Sequence, residues 1–152
     1  MKAVVTRVER ASVTLRDGAA AGQRRETGAG LVVLLGVGAG DTEDGARKLV
    51  EKVLALRIFS NAEGKFDRSI LDTKGDILLV SQFTLCASLK GGRRPDFTAA
   101  ARPEVAKPLY ERVAALFSAS GLTVKTGEFG ASMNVESAND GPVTIVVDTD
   151  LF

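Results

Sequence analysis

Two short segments of the chain carry the residue types that could support chemistry. Residues 81–85 (Ser-Gln-Phe-Thr-Leu) are predicted to form the C-terminal end of a buried strand that carries two hydroxyl groups. Residues 139–144 (Asn-Asp-Gly-Pro-Val-Thr) are predicted to form a polar turn around a Gly-Pro bond, which opens a final strand. The chain contains no histidine, so Ser-His-Asp catalysis, Cys-His catalysis and histidine-ligated zinc are all excluded. Any reaction must therefore proceed without the usual general base.

The two hydroxyl groups, on Ser81 and Thr84, are three residues apart. On a regular strand their side chains start on opposite faces, unless the strand bends or ends there. A strand end is also where a sheet usually places ligand groups. Threonine is a good strand former as well, so a purely structural role for Thr84 stays open on spacing alone.

The Gly141-Pro142 pair has two interpretations. Asn-Asp-Gly-Pro is a good turn sequence in its own right. Proline also fixes its own dihedral angle and restricts the glycine before it, so the carbonyl groups of this turn can point in fixed directions at low entropic cost. X-Pro bonds are cis in only about 5% of cases in folded proteins, so the local sequence does not establish a cis bond.

Basic residues are bunched at two places. Lys90, Arg93 and Arg94 flank two glycines whose backbone amides could approach a phosphate, and they follow the first motif closely. For this segment a phosphate contact and a solvated charged run are equally open interpretations. The pair Arg24 and Arg25 favours the solvated interpretation. The net charge of +1 does not by itself indicate nucleic-acid binding.

Length and composition predict a single domain over residues 1–152, with its own hydrophobic core. The lone Cys86 excludes an internal disulfide and a cysteine-cluster zinc site, and buried packing is its favoured role. The acidic residues match no calcium loop, so we expect no metal and no cofactor. The most apolar run, residues 31–37, is shorter than the roughly 20 residues that span a bilayer, and no signal peptide is visible. We therefore expect a cytoplasmic location.

The hydrophobic pattern predicts a mixed α/β domain. Seven strands are expected, at residues 2–8, 12–15, 30–37, 76–85, 122–126, 132–137 and 143–148. Two helices are expected, one from Asp41 to Arg57 and one from Pro103 to Gly121, where Pro108 must kink the first turn or delay the start. Their core-facing stripes are predicted at Ala46, Leu49, Val50, Val53 and Leu56, and at Val105, Leu109, Val113, Leu116 and Phe117. Residues 58–70 are expected to form a hairpin or loop, and glycine-rich residues 36–40 a flexible connection.

The two motifs, in this order and at this distance, are similar to the signature of the D-aminoacyl-tRNA deacylase family. The resemblance covers nearly the full chain. Further segments that resemble the family lie at residues 7–13, 30–37, 56–59, 92–97 and 127–135. Ser-Gln-Phe-Thr-Leu also separates the chain from the related animal deacylase, whose motif begins with proline and lacks the phenylalanine. The resemblance implies that family's fold, a mixed, largely antiparallel barrel-like sheet with two helices packed on it.

The resemblance also implies an enzyme that hydrolyses the ester bond of D-aminoacyl-tRNA, as a homodimer with active sites at the subunit interface. Gly141-Pro142 would be a cis bond inserted into the neighbouring subunit's pocket, where it excludes L-aminoacyl groups. Ser81 and Thr84 are the implied catalytic residues, acting mainly through backbone groups, and the 2′-hydroxyl of the tRNA takes part in the reaction. Glycine is achiral and has no side chain for Gly141-Pro142 to exclude, so cleavage of Gly-tRNA mischarged on tRNA(Ala) is an implied side activity.

The implied substrate-binding residues form a larger set. It comprises Gln82, Phe83, Phe129, Gly130, Met133, Gly141 and Pro142, of which Phe129, Gly130 and Met133 would lie near the terminal adenosine. Lys90, Arg93 and Arg94 are the expected contacts to tRNA phosphates. An alternative is a non-catalytic nucleic-acid-binding protein on the same fold, which would use these basic residues but has no need of the two motifs. A small-molecule ester or amide hydrolase is disfavoured by the missing base.

Overall fold

One long antiparallel pair runs through the whole fold in the computed structural model, which describes residues Met1–Phe152. Strand β1 (Lys2–Leu15) pairs with β8 (Met133–Asp148) along its entire length. On its other side, β1 pairs antiparallel with β2 (Arg24–Thr27) along its second half and with β3 (Gly30–Gly36) along its first half. The predicted division of each terminal region into two strands is wrong, because the backbone keeps pairing through a bulge.

The remaining elements complete a mixed sheet with a small separate hairpin. They are α1 (Glu43–Ala55), β4 (Phe59–Ser60), β5 (Phe66–Arg68), α2 (Ile70–Thr73), β6 (Asp76–Ser81), α3 (Pro103–Ala119) and β7 (Val124–Thr126), with 3₁₀ helices at Phe83–Cys86 and Thr149–Leu151. Strand β6 pairs parallel with both β3 and β7, whereas β4 and β5 pair only with each other. Parallel neighbours need a long crossover connection, and α1 and α3 lie in the two crossovers.

The two faces of this sheet bury two separate cores. Alternate residues of β6 show the division: Ile77 and Leu79 belong to a large core that includes the helices, whereas Leu78 and Val80 belong to a smaller one. The smaller core is closed by inward-facing residues of β1 and β3, which are Val8, Ala11, Val13, Leu15 and Val32. This arrangement confirms the predicted mixed α/β fold with a barrel-like sheet and helices packed on it.

Helices α1 and α3 cover the large core with apolar stripes. In α1 the buried residues are Ala46, Leu49, Val50 and Val53, all predicted, whereas the predicted Leu56 follows the helix and is half-buried. In α3 they are Ala106, Leu109, Tyr110, Val113 and Phe117. Of the residues predicted there, Val105 is exposed and Leu116 is half-buried. Helix α3 begins at Pro103, where the missing N–H has no helical partner to lose, and it continues through Pro108.

Two local features differ from the predicted elements. The hairpin expected in residues 58–70 is present as β4 and β5, but it is followed by the short helix α2, so the structure has three α-helices. A capping box starts α2, because the Ser69 hydroxyl accepts from the Asp72 N–H and the Asp72 carboxylate accepts from the Ser69 N–H. None of the helices combines the length and the apolar composition that crossing a membrane requires.

Candidate active site

An apolar cleft opens where the parallel strands β3 and β6 end. It has a volume of about 630 Å³, within the usual range of ligand sites. Its walls come from the ends of β3 and β6, the start of α3 and the segment that joins β7 to β8. The lining residues include Ser81, Gln82, Phe83, Phe97, Arg102, Tyr110, Phe129, Gly130 and Met133. Carboxyl ends of parallel strands are where open α/β sheets bind ligands, so this cleft is the candidate active site.

The first motif forms the base of the cleft as a strand end followed by a tight turn. Strand β6 stops at Ser81, and the Gln82 N–H donates to the Leu35 carbonyl oxygen over 2.7 Å. The next residues, Phe83–Cys86, form a 3₁₀ helix. The prediction of a strand through residue 85 is therefore wrong, because the chain turns away from the sheet after Ser81. This turn removes the expected placement of Ser81 and Thr84 on opposite faces of one strand.

The turn separates the roles available to the two hydroxyl residues. Ser81 lines the cleft, whereas the exposed Thr84 does not. The Thr84 hydroxyl accepts a hydrogen bond from the Gln82 side-chain amide, a neutral group that cannot take its proton. The N–H groups of Phe83 and Thr84 lie in the first turn of the 3₁₀ helix and have no acceptor within that turn. These N–H groups are suited to hold a negative oxygen.

A glycine of β3 fixes the position of this turn. A Cβ atom at Gly36 would lie 2.9 Å from Leu85 Cβ and 3.0 Å from the Gln82 carbonyl oxygen. Such distances are closer than ordinary carbon contacts of about 3.5–4.0 Å. Only glycine therefore lets the turn pack this closely against the end of β3. The expected flexible connection thus begins with a residue that has a packing role.

Two aromatic pairs line the cleft. The rings of Phe83 and Phe97 meet edge to face, with their centroids 5.1 Å apart. Deeper in the cleft, the ring centroids of Tyr110 and Phe129 are 5.9 Å apart, and the Tyr110 hydroxyl donates to the Leu79 carbonyl oxygen over 3.0 Å. Burial raises the pKa of Tyr110, which therefore stays neutral at physiological pH.

The second motif lies away from this cleft. Residues 140–143 form a bulge inside β8, between Thr144, which pairs with Thr6, and Asn139, which pairs with Val8. The motif is thus a bulge within one strand and not the turn that opens a final strand. The Gly141-Pro142 peptide bond is cis, and both residues are exposed. Neither residue lines the cleft of its own chain.

A buried arginine holds this bulge in place. The Arg7 side chain is about 90% buried, and its Nε donates to the Asp140 carbonyl oxygen over 3.1 Å. The same nitrogen lies 2.9 Å from Asp140 Oδ2. Arg7 also donates to the Ile58 carbonyl oxygen and lies beneath the Phe66 ring, 5.6 Å from its centroid. Charge-assisted bonds to backbone and side chain together make the bulge a rigid feature.

The predicted basic residues lie in a loop beside the cleft. Lys90, Arg93 and Arg94 are exposed and form no ion pair within the chain. They do not line the cleft, although Arg102 does. The loop is closed at its base by a bridge between Ser88 and Asp96. These residues can therefore contact a long polyanion outside the cleft, but not a group within it.

The titratable residues that line the cleft, Arg102 and Tyr110, offer no general base. Burial raises the pKa of the Cys86 thiol, and this last residue of the 3₁₀ helix packs close to Gly36. The chain holds no cluster of three or more metal-ligating side chains.

The cleft also contains residues that the sequence did not indicate as site residues. Phe97 stands at the end of a segment that resembles the family, but it was not expected in the site. Tyr110 was missing from the predicted stripe of α3, although its spacing of one residue after Leu109 places it on the same side. Nothing in the sequence marked Arg102, because its place in the cleft depends on the distant hydrogen bond from the Ala101 N–H to the Val37 carbonyl oxygen.

Comparison with known proteins identifies relatives over the whole chain. The family model of D-Tyr-tRNA(Tyr) deacylase matches residues 4–148. A D-aminoacyl-tRNA deacylase of Roseiflexus sp. (strain RS-1) is 51% identical over 152 residues, which cover 100% of this chain and 96% of the relative. The D-aminoacyl-tRNA deacylase of Aquifex aeolicus (strain VF5) is 52% identical over 149 residues, 98% of each chain.

Two solved structures are similar to this fold. One, described as the c-Myc DNA Unwinding Element Binding Protein, has a TM-score of 0.88 and 40% identity, covering 97% of this chain and 98% of that one. The other, a probable eukaryotic D-amino acid tRNA deacylase, has a TM-score of 0.82, with 96% and 97% of the two chains covered. Its 18% identity supports the fold alone.

The fold, the cleft and these relatives show that the protein is a hydrolase. The chain belongs to the D-Tyr-tRNA(Tyr) deacylase family. The resemblance noted in the sequence and the prediction of an enzyme of the deacylase class are thereby confirmed.

Proposed function

We propose that the protein hydrolyses the ester bond of D-aminoacyl-tRNA, releasing the free D-amino acid and tRNA, and that it does so as a homodimer. The observation that carries this proposal is the separation of the two motifs within one chain. Ser81 is level with Leu35 of β3, Ala3 of β1 and Val147 of β8. Gly141 and Pro142 lie further along β8 than Val147, beyond Thr144. With strands about 4.8 Å apart and about 3.3 Å per residue, the motifs lie on the order of 15–20 Å apart.

A second copy of the chain can bring the motifs together. The bulge is exposed, rigidly held by Arg7 and placed on β8, which pairs only with β1 and so leaves a free edge. This edge strand exposes two large apolar residues, Val135 (39%) and Val146 (73%), that a partner can cover. In a twofold dimer each bulge would enter the cleft of the other copy, so that one interface completes two sites.

The chemistry of the site fits an ester that is already activated. Water attacks the acyl carbonyl carbon, the ester bond to the ribose oxygen breaks, and that oxygen leaves with a proton. Without a general base, the protein contributes orientation and donors for the developing oxyanion. Ser81 and Thr84 hold the acyl end mainly through backbone groups, and Gln82 and Phe83 complete its pocket. The neighbouring 2′-hydroxyl of the tRNA assists the attack.

Selectivity for D-aminoacyl groups follows from a backbone wall. The carbonyl groups of Gly141 and Pro142 would engage the substrate α-amino group from across the interface. The two enantiomers differ in whether a hydrogen or the side chain occupies a given position on the α-carbon. A rigid backbone wall at that position rejects L residues, whose side chain would meet it, and accepts many D residues. Glycine, which has no side chain, passes the same wall, so Gly-tRNA mischarged on tRNA(Ala) is a further proposed substrate.

The remaining contacts concern the tRNA. Phe129, Gly130 and Met133 would bound the terminal adenosine, and Lys90, Arg93 and Arg94 would contact phosphates outside the cleft. A tRNA substrate and a single free thiol are both consistent with a cytoplasmic location.

The proposal is tested by deacylation of matched D-Tyr-tRNA and L-Tyr-tRNA in the presence of a chelator. Rapid loss of the D ester with the L ester spared is the expected result. Cleavage of both esters would contradict the Gly141-Pro142 gate, and cleavage of neither by folded protein would contradict the deacylase assignment.

The dimeric site is tested by mixing two inactive variants. Ser81→Phe fills the cleft but leaves the bulge intact, whereas Gly141→Val alters the bulge but leaves the cleft intact. After subunit exchange, half of the dimers carry one complete site, so about one quarter of the wild-type activity should return. A site contained in one chain would recover none.

A second candidate function is binding of nucleic acid without catalysis. It is favoured by the relative described as a DNA unwinding element binding protein and by the unpaired basic loop at Lys90, Arg93 and Arg94. Binding of single-stranded DNA at physiological salt, together with inactivity on D-Tyr-tRNA, would favour this alternative.

A further inference from the structure

Two cleft residues, Phe97 and Arg102, have no role in the function proposed above. Both line the cleft, and both are exposed to solvent. Phe97 is 37% exposed, and its ring meets that of Phe83 edge to face. Arg102 is exposed and forms no ion pair, even with Glu104 two residues away. A partly exposed aromatic ring and an unpaired guanidinium, five residues apart in the chain, thus line the same apolar cleft.

The segment that carries these two side chains is held firmly to the sheet. The Ala101 N–H donates to the Val37 carbonyl oxygen over 2.9 Å, and the Ala39 N–H donates to the Ala99 carbonyl oxygen over 3.0 Å. The Ala100 N–H also donates to the Phe97 carbonyl oxygen over 3.0 Å. The segment is therefore anchored beyond the end of β3, and its backbone needs little further ordering on binding.

A flat aromatic ring and an unpaired guanidinium in one cleft suit one class of ligand, a nucleotide of a single strand. Bases stack on aromatic side chains irrespective of their sequence, and arginine binds phosphate through its planar fork. We propose that Phe97 and Arg102 form a subsite for the nucleotide that precedes the terminal adenosine. Phe97 stacks on its base, and Arg102 binds the phosphate that joins the two nucleotides. This inference rests on the proposed function, which places the terminal adenosine against Phe129 in the same cleft.

The subsite predicts a preference that small substrates can measure. The substrates are 2′(3′)-D-tyrosyl-adenosine, which has no phosphate, and the D-tyrosyl ester of the dinucleotide CpA, which adds one phosphate and one base. Wild-type kcat/KM should be higher for the dinucleotide by about fivefold or more, the lower limit for one base stacked on an aromatic ring. Equal values for the two substrates would overturn the proposal.

Three variants assign the preference to its residues. Phe97→Ala and Arg102→Gln should each bring the dinucleotide-to-nucleoside ratio of kcat/KM close to one. Lys74→Gln removes the same charge at the opposite end of β6, where the exposed Lys74 caps α2, and should keep the wild-type ratio. A merely structural role for Phe97 or Arg102 would lower both substrates together and leave the ratio unchanged, which would refute the subsite.

A binding measurement separates this inference from the proposed catalysis. Fluorescence anisotropy of a labelled CCA trinucleotide, the 3′ sequence of tRNA, needs no turnover. Arg102→Gln should reduce the slope of log affinity against log salt by about 0.7, the value for one single-strand phosphate, and Lys74→Gln should not. If the wild type binds CCA and Arg102→Gln leaves the slope intact, the subsite is refuted whatever the esterase activity. If the slope falls but no D ester is cleaved, the subsite stands and the proposed function fails.

Discussion

A single methyl group at Gly36 should disable the cleft while leaving the protein folded. The new Cβ would meet Leu85 Cβ at 2.9 Å, the Gln82 carbonyl oxygen at 3.0 Å and Cys86 Sγ at 3.3 Å. The first two of these atoms are fixed by the backbone of the 3₁₀ helix and cannot rotate away. Restoring ordinary contact distances of about 3.5–4.0 Å requires the turn to move by roughly 0.5–1 Å.

The expected costs differ for stability and for catalysis. Overpacking of this kind typically costs about 1–3 kcal/mol, which is a fraction of the 5–15 kcal/mol that stabilises a typical domain. A displacement near 1 Å in a site that works by orientation can cost about 100-fold in rate. Gly36→Ala should therefore lower kcat/KM by a much larger factor than the folded fraction.

The matched control is Gly40→Ala, in the same glycine-rich connection. A Cβ at Gly40 meets nothing within 4 Å, and its backbone is not in the left-handed region. Deacylation of D-Tyr-tRNA and thermal unfolding should be measured for both variants. We expect Gly36→Ala to lose about 10- to 100-fold in kcat/KM with a Tm lowered by a few degrees, and Gly40→Ala to match the wild type. Full activity in folded Gly36→Ala, or an equal loss in Gly40→Ala, would refute the reasoning.

Three further variants test the anchoring and the chemistry. Arg7→Lys removes the Nε–H group that holds Asp140, a loss of about 1.5–3 kcal/mol in charged hydrogen bonding, and should lower the ratio of D- to L-Tyr-tRNA cleavage. An unchanged ratio would contradict the anchoring role. Thr84→Val removes a neutral hydroxyl and should reduce kcat/KM by no more than about tenfold, whereas a nucleophile would cost about 10⁴-fold or more. Tyr110→Phe removes the bond to Leu79 and should cost about 0.5–1.5 kcal/mol in denaturant unfolding at pH 8. Burial also raises the pKa of Tyr110 above its value in the unfolded chain, so the wild type should lose stability as the pH rises above about 10. Tyr110→Phe should lose less stability over the same range. Parallel curves of stability against pH for the two proteins would contradict this account.

Sequence patterns predicted the parts of this fold that depend on burial. Helix α1 shows this clearly, because Ala46, Leu49, Val50 and Val53 repeat at helical spacing and are all buried. The continuous apolar run of residues 30–37 likewise predicted strand β3, and the two cores cover its two faces. In each case one local property, hydrophobic period, decides the element.

The parts that the sequence did not predict depend on contacts distant in the chain. Thr84 favours a strand by its side chain, but the turn after Ser81 is set by packing against Gly36, 45 positions earlier. Glu9 and Arg10 are polar and suggest a break, yet pairing with β8 continues the strand. Arg102 enters the cleft because the segment before α3 is hydrogen-bonded to the end of β3, through the Ala101 N–H and the Val37 carbonyl oxygen. Contacts between distant parts of the chain determine the structure at these three positions, and the local hydrophobic pattern does not indicate such contacts.

The rigidity of the proposed gate and its location have different physical origins. The bulge is rigid because of contacts within its own chain: the mostly buried Arg7 binds both the backbone and the carboxylate of Asp140, so no partner is needed to order it. Its position beside a cleft requires the proposed dimer, since the bulge and Ser81 lie at different levels of the same sheet. A backbone segment that discriminates between enantiomers must be rigid. If it became ordered only on dimerisation, part of the free energy of dimerisation would be spent on that ordering. Anchoring the bulge within its own subunit avoids this cost. Arg7 lies on the order of 15–20 Å from the cleft of its own chain. It should nevertheless control selectivity in the cleft of the other subunit.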